Sequence, residues 1–176
     1  TIDYKLGLVS SSQLALISLP YCLISLGVIK DQLSLKNFKD NGKRKIAFFG
    51  LGPMFTMAQK AAEELGEDFD CALINPRFTK PIDEATTEYF AKTADQIVTI
   101  EDHVLPGGYG SVVSELLVEK GISTPLLRIG WPDQFIEHAS SVNELREKYG
   151  LTAEAITARI KGEPVVAKKK RASAVA

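Results

Sequence analysis

Cysteine and histidine are scarce in this chain of 176 residues, which has two of each. Cys22 and Cys71 stand alone, without a CxxC pair or a histidine at metal-ligand spacing, so neither a zinc site nor a disulfide framework is encoded. They read as reduced thiols of a cytoplasmic protein, with Cys71 packed in a strand. An excess of one charge is also lacking. Twenty-one Lys and Arg face 22 Asp and Glu, for a formal net charge of -1, which argues against a chain built to embrace nucleic acid with a strongly basic face. No apolar run reaches the ~18–20 residues that span a bilayer. The longest, residues 14–29, carries Ser18 and Ser25 and is broken by Pro20. Lys5 precedes it, but no small-x-small cleavage site follows before Lys30, so a signal peptide is not indicated. The expectations are no nucleic acid, no membrane and no metal.

With 45% hydrophobic and 24% charged residues, the chain can bury one core of ordinary domain size. Short apolar runs at 45–50, 69–74, 96–101 and 125–129 read as strands. Helices are expected at 54–65, closed by Gly66, at 83–91 with Asp83 as cap, and at 109–120, closed by Gly121. Ser141 and Glu144 have capping-box spacing for a helix to Tyr149, and Thr152 starts another that reaches Lys161. Strands alternating with helices predict an α/β fold, a three-layer, mostly parallel sheet flanked by helices. The expected domain is 35–162, preceded by an apolar segment (1–34) and followed by a flexible basic tail (163–176). A start at Thr1 rather than Met suggests a piece of something longer.

In such sheets function gathers at the carboxyl ends of the strands, and the unusual residues of this chain fall there. After the second strand, Arg77 and Lys80 lie between Pro76 and Pro81, each of which stiffens the backbone. A guanidinium on such a connection can grip phosphate or carboxylate with two hydrogen bonds, or the two cations can pair with Asp83 and Glu84. After the third strand come Glu101, Asp102 and His103, able to do acid–base work or to end a strand in water. Gly107, Gly108 and Gly110 follow, allowing either a close approach to a ligand or subunit or simply a tight turn; the next helix offers N–H groups to an anion. The fourth strand leads to Trp131, the only tryptophan, and His138, a packed or capping histidine unless another domain completes a site. Gly50-Leu51-Gly52 is half of a dinucleotide fingerprint, without its third glycine or its acidic partner.

Four blocks together resemble a known family: Asn75-Pro76-Arg77-Phe78-Thr79-Lys80-Pro81-Ile82-Asp83; residues 98–103 with Gly107-Gly108-Tyr109-Gly110-Ser111; Trp131-Pro132-Asp133-Gln134-Phe135-Ile136-Glu137-His138; and residues 149–154. They are similar to the C-terminal domain of the 1-deoxy-D-xylulose-5-phosphate synthases, in the transketolase C-terminal domain family. The resemblance covers residues 35–161. It implies a thiamine-diphosphate- and Mg2+-dependent homodimer that joins pyruvate to glyceraldehyde 3-phosphate, with the cofactor held by preceding domains through a Gly-Asp-Gly motif absent here. By resemblance, Arg77 contacts substrate phosphate and Lys80 is a weaker companion. Glu101, His103, Gly107, Gly108 and His138 are placed at the site edge or an interface. Ala139 stands where the family has Gly. An alternative stays open: a non-catalytic anion- or partner-binding domain, or a subunit of a split transketolase.

Overall fold

The computed structural model describes residues 34–39, 41–136 and 141–164. Residues 1–33 of the apolar N-terminal segment (1–34), residues 165–176 of the basic tail (163–176) and His138 lie outside the described residues. Five strands form one sheet: β1 (Ser34–Lys36), β2 (Arg44–Gly50), β3 (Phe69–Ile74), β4 (Gln96–Val104) and β5 (Leu126–Trp131). Their order is β1-β3-β2-β4-β5, with only β1 antiparallel to its neighbour. The helices are α1 (Met54–Leu65), α2 (Glu84–Thr93), α3 (Tyr109–Glu119), α4 (Val142–Tyr149) and α5 (Ala153–Lys161).

Strand alternation divides the core into two layers. Ile46, Phe48, Cys71, Leu73, Val98, Ile100 and Ile129 face α1 and α5. Ala47, Phe49, Ala72, Ile74 and Ile97 face α2 and α3, through Phe90, Ala91, Val113 and Leu117. Burial on both faces explains why the strands read as continuous apolar runs rather than alternating ones. The result is the expected three-layer α/β architecture. From β2 the chain crosses to β3 on one side and then returns past β2 to β4, so the strand order reverses between β2 and β4. Crevices for ligands form outside the carboxyl ends of strands at such a point.

The helix ends follow their sequence signals. Asp83 accepts hydrogen bonds from Thr86 N at 2.9 Å and Thr86 Oγ1 at 2.7 Å. Ser141 and Glu144 form the capping box, and Thr152 caps α5. Two strands run beyond their expected ends, and a short one was not foreseen. β4 continues to Val104 and β5 to Trp131, because the ladder resumes after a register shift between Ile100 and Val104, pairing Val104 with Trp131. The polar pair Asp102 and His103 ends the apolar run but not the backbone pairing. β1 has three residues, too few to show a period.

The junction between β4 and α3 is organised around Glu101. Its side chain is fully buried and accepts hydrogen bonds from Tyr109 N at 2.6 Å and Gly110 N at 2.9 Å. Carboxylate charge therefore sits on two of the helix's orphan N–H groups, where the backbone dipoles favour it. Space for it comes from Gly108, where a Cβ would lie 2.1 Å from Glu101 Oε2. The turn itself is closed by Ser111, whose Oγ donates to Leu105 O at 2.9 Å and accepts from Gly107 N at 3.0 Å and Arg128 Nη2 at 2.8 Å.

Two outcomes are expected. Charge-assisted bonds are each worth about 1.5–3 kcal/mol, so Gly108→Ala, which must expel the carboxylate, should cost on the order of 3 kcal/mol or more by urea denaturation. Gly107→Ala meets open space and is strained only by its positive φ of 72°, and should cost about 1–2 kcal/mol. Equal costs would contradict the steric role of Gly108. Tyr109 is 1% exposed, and burial pushes its phenol far above the usual 10.0. Its raised pKa means the folded chain keeps a proton that the unfolded chain releases. The stabilisation is whole below about pH 10 and declines as the pH rises further. Tyr109→Phe should flatten that alkaline decline; an unchanged slope in denaturation series from about pH 9 to 11 would contradict it.

Candidate functional site

Because β2, β3, β4 and β5 are parallel, their carboxyl ends deliver four loops to one edge. Along that edge the order is set by the sheet: the β3 loop, the β2 loop, the β4 loop, then the β5 loop. Neighbouring strands lie ~4.8 Å apart, so the ends of β3 and β5 are roughly 14 Å apart. Loops from β2 and β4 flank the point where the strand order reverses.

The β3 loop carries the cations. Pro76 is buried and anchors it, Asn75, Arg77 and Thr79 are half-buried, and Phe78 and Lys80 are exposed. Arg77 has φ of 58°, the only positive φ of a non-glycine residue among the described residues. Phe78 N donates to Pro76 O at 2.6 Å, closing a three-residue γ-turn with Arg77 at its centre. Asn75 Oδ1 accepts from Arg77 N at 3.2 Å. Such a turn is rare and costs of order 1–3 kcal/mol of backbone strain. Among the described residues, neither the Arg77 guanidinium nor the Lys80 ammonium has a hydrogen-bond or ion-pair partner. Pairing with Asp83 and Glu84 does not occur. Asp83 is engaged in capping α2, and Glu84 forms an ion pair with Lys120 at 3.0 Å. Among the described residues, therefore, nothing neutralises the two cations.

The β2 loop offers less chemistry. Gly50 is required by close packing, since a Cβ there would meet Phe55 Cα at 2.6 Å, and Gly52 takes φ of 59°. A tight strand-to-helix turn accounts for both glycines.

Glu101, Asp102 and His103 do not converge. Alternation sends Glu101 into the α3 layer, where both its oxygens are engaged, so it faces inward rather than toward a ligand. The α3 N–H groups expected to be open to an outside anion are occupied by this internal one. Asp102 faces the other layer, accepting from Trp131 Nε1 at 2.7 Å and Arg146 Nη2 at 2.7 Å. Trp131 in turn packs edge-to-face on Tyr149, whose hydroxyl accepts from Gln134 Nε2 at 3.1 Å. His103 is exposed, with Nδ1 2.8 Å from Val104 O. Gly107 is exposed and Gly108 buried beneath the turn. Sequence reading missed Asn75, Arg128 and Arg146. Only Asn75 had a local signal, an Asn two residues before the amide it accepts from; Arg146 meets Asp102 across 44 positions.

Among the described residues, no group of three or more His, Cys, Asp or Glu could hold a metal ion. With Glu101 filling the α3 terminus as well, the described residues do not fit a metal–diphosphate group. None of the described helices is long and apolar enough to cross a membrane.

Comparison with known proteins gives this edge its relatives. The family model for the transketolase C-terminal domain matches residues 37–156. A 1-deoxy-D-xylulose-5-phosphate synthase of Methylacidiphilum infernorum is 52% identical over 112 residues, 63% of this chain and 18% of that protein. The synthase of Acidobacterium capsulatum is 49% identical over 111 residues, 62% of this chain and again 18% of the relative. The chain thus spans under a fifth of the length of these relatives. Among solved structures, a split gene transketolase, in an inactive beta4 tetramer, is similar with a TM-score of 0.61 and 31% identity, covering 76% of this chain and 43% of that one. A match across more than half of the chain, on a parallel sheet of the same architecture, shows that the chain belongs to the transketolase C-terminal domain family.

Proposed function

We infer that this chain is the C-terminal module of a 1-deoxy-D-xylulose-5-phosphate synthase, and that its Arg77 contacts the phosphate of glyceraldehyde 3-phosphate while pyruvate supplies the two-carbon fragment. The observation that carries the reading is a guanidinium with no partner among the described residues, held on a strained turn at the carboxyl edge of the sheet. A guanidinium binds phosphate bidentately, and its rigid presentation reduces the entropy lost on binding. Lys80, exposed three residues on, adds positive potential rather than a directed contact. His103, Gly107 and the β5 loop form the rim of the same edge, toward a neighbouring domain or subunit.

In this reading thiamine diphosphate and Mg2+, which supply the carbanion chemistry, are held by other domains of a longer, homodimeric, cytoplasmic enzyme of isoprenoid and thiamine precursor synthesis. No step is assigned to the cofactor on this chain. The domain in question comprises residues 35–162. A second reading, favoured by the likeness to the split gene transketolase, makes the chain a separate subunit that supplies the same arginine in trans.

Within the full-length polypeptide, Arg77→Ala should raise KM for glyceraldehyde 3-phosphate about 10- to 100-fold, the worth of a charge-assisted hydrogen-bond pair, and leave that for pyruvate nearly unchanged. Equal effects on the two substrates would remove the phosphate role.

A further inference from the structure

The connection from β1 to β2, away from the carboxyl edge, holds a chemically reactive peptide unit. The chain has four asparagines, Asn37, Asn41, Asn75 and Asn143, and the residue after each decides its chemistry. An asparagine carboxamide is attacked by the next main-chain nitrogen when that nitrogen is unhindered and can lose a proton. Pro76 gives Asn75 no N–H to lose. The Glu144 N–H that follows Asn143 is committed to Ser141 Oγ at 3.3 Å. Asn37 precedes Phe38, a half-buried ring packed edge-on against Phe90. Asn41 differs from all three. It precedes Gly42, which has no Cβ to shield its nitrogen, and both residues are exposed. Gly42 has φ of 73°, and a Cβ built there would find nothing within 4 Å, so the turn stands clear of the fold. No acceptor among the described residues engages the Gly42 N–H. Asn41 Oδ1 accepts from Lys43 N at 3.2 Å in an Asx turn. That donor lies on the oxygen where negative charge develops when Cγ is attacked, as in an oxyanion hole.

We propose that Asn41 is a site of spontaneous deamidation and isoaspartate formation. A base from solution takes the Gly42 N–H proton, and the nitrogen forms a bond to Asn41 Cγ. The side-chain nitrogen takes up a proton and leaves as ammonia. Water then opens the five-membered imide at one of its two carbonyls. Opening at Cγ leaves an ordinary aspartate, and opening at the main-chain carbonyl leaves isoaspartate, whose main chain runs through Cγ and is one methylene longer. No oxidant, reductant or enzyme is required. The added atom falls in a connection held at both ends: Lys39 N donates to Oδ2 of the buried Asp70 at 2.7 Å, and Lys45 N donates to Asp95 Oδ2 at 2.7 Å. Asn41 is two residues from the first of these clamps, so the longer main chain pulls on it. The three-residue edge strand β1 is the element that gives way, being the shortest in the sheet.

The test incubates the 176-residue chain in neutral buffer, folded and in urea. Every asparagine is followed by peptide mass mapping, and an isoaspartyl methyltransferase labels the isomer. In the folded chain, only the peptide carrying Asn41 should gain the mass of an NH2-to-OH exchange and take up label. Gly42→Ala should slow the reaction on the order of tenfold, because a Cβ then flanks the attacking nitrogen. Folded Asn41 should react at least as fast as Asn41 in urea, because the turn leaves the nitrogen open and polarises the carbonyl. The aged, isoaspartate-containing fraction should melt about 2–4 °C below fresh chain. Asn41→Asp, which has the charge without the extra methylene, should melt with the fresh chain. An Asn41 that stays intact in the folded chain, or one whose reaction Gly42→Ala does not slow, would overturn the assignment. Reaction about tenfold slower in the folded chain than in urea would overturn the role of the turn. An aged fraction that melts with the fresh chain would overturn the strain on β1 and leave the site standing.

Discussion

A buried carboxylate at the end of a central strand is the constraint on which the functional edge depends. Glu101 lies within β4 at the point where apolar residues give way to polar ones, and its charge is compensated by two backbone N–H groups of α3. Without those donors a carboxylate in this layer would carry a large desolvation cost. With them it ties the strand to the helix that follows and leaves the intervening turn only one path. Gly108 must lack a side chain and Gly110 must nearly touch Thr99 and Arg128, where a Cβ would approach to 2.7 Å and 2.9 Å. Ser111 and Arg128 then converge on the carbonyl of Leu105. The conformation of the β4 loop thus follows from a charge satisfied internally.

The same edge leaves a different charge unsatisfied. Within seven residues of the end of β3 lie two prolines and two cations, and the local carboxylates Asp83 and Glu84 are committed elsewhere, Asp83 to its cap and Glu84 to Lys120. Buried charge is compensated within the fold, while the half-buried Arg77 on its strained turn has no partner among the described residues. Asp102, Arg146, Trp131 and Tyr149 brace the far end of the edge by holding α4 against β4 and β5.

Much of the fold was legible in local signals. Asp83, the Ser141–Glu144 box and Thr152 mark helix starts because capping is a contact between residues three apart, and it reads directly from the chain. The central strands β2, β3 and β4 were visible because burial on both faces makes most of their residues apolar. Strand ends were less visible. Asp102 and His103 look like loop, yet the β4 ladder continues because pairing with β5 is a backbone property indifferent to their side chains. Edge strand β1 is too short to carry any period. The run Glu101-Asp102-His103 suggested one site, but alternation sends Glu101 and Asp102 to opposite faces of the sheet.

The amino-acid sequence by itself determined the α/β class, the helix caps, and the stiff presentation of Arg77 and Lys80 between two prolines. These depend on contacts within a few residues, or on periodicity, and both are written along the chain. Tertiary structure decided which charges are spent and which are free. Glu101 meets its donors eight and nine positions on, across the turn between β4 and α3, and Asp102 meets Arg146 across 44. Whether a cation is paired depends on where every nearby carboxylate is committed, and only the packed sheet and helices settle that.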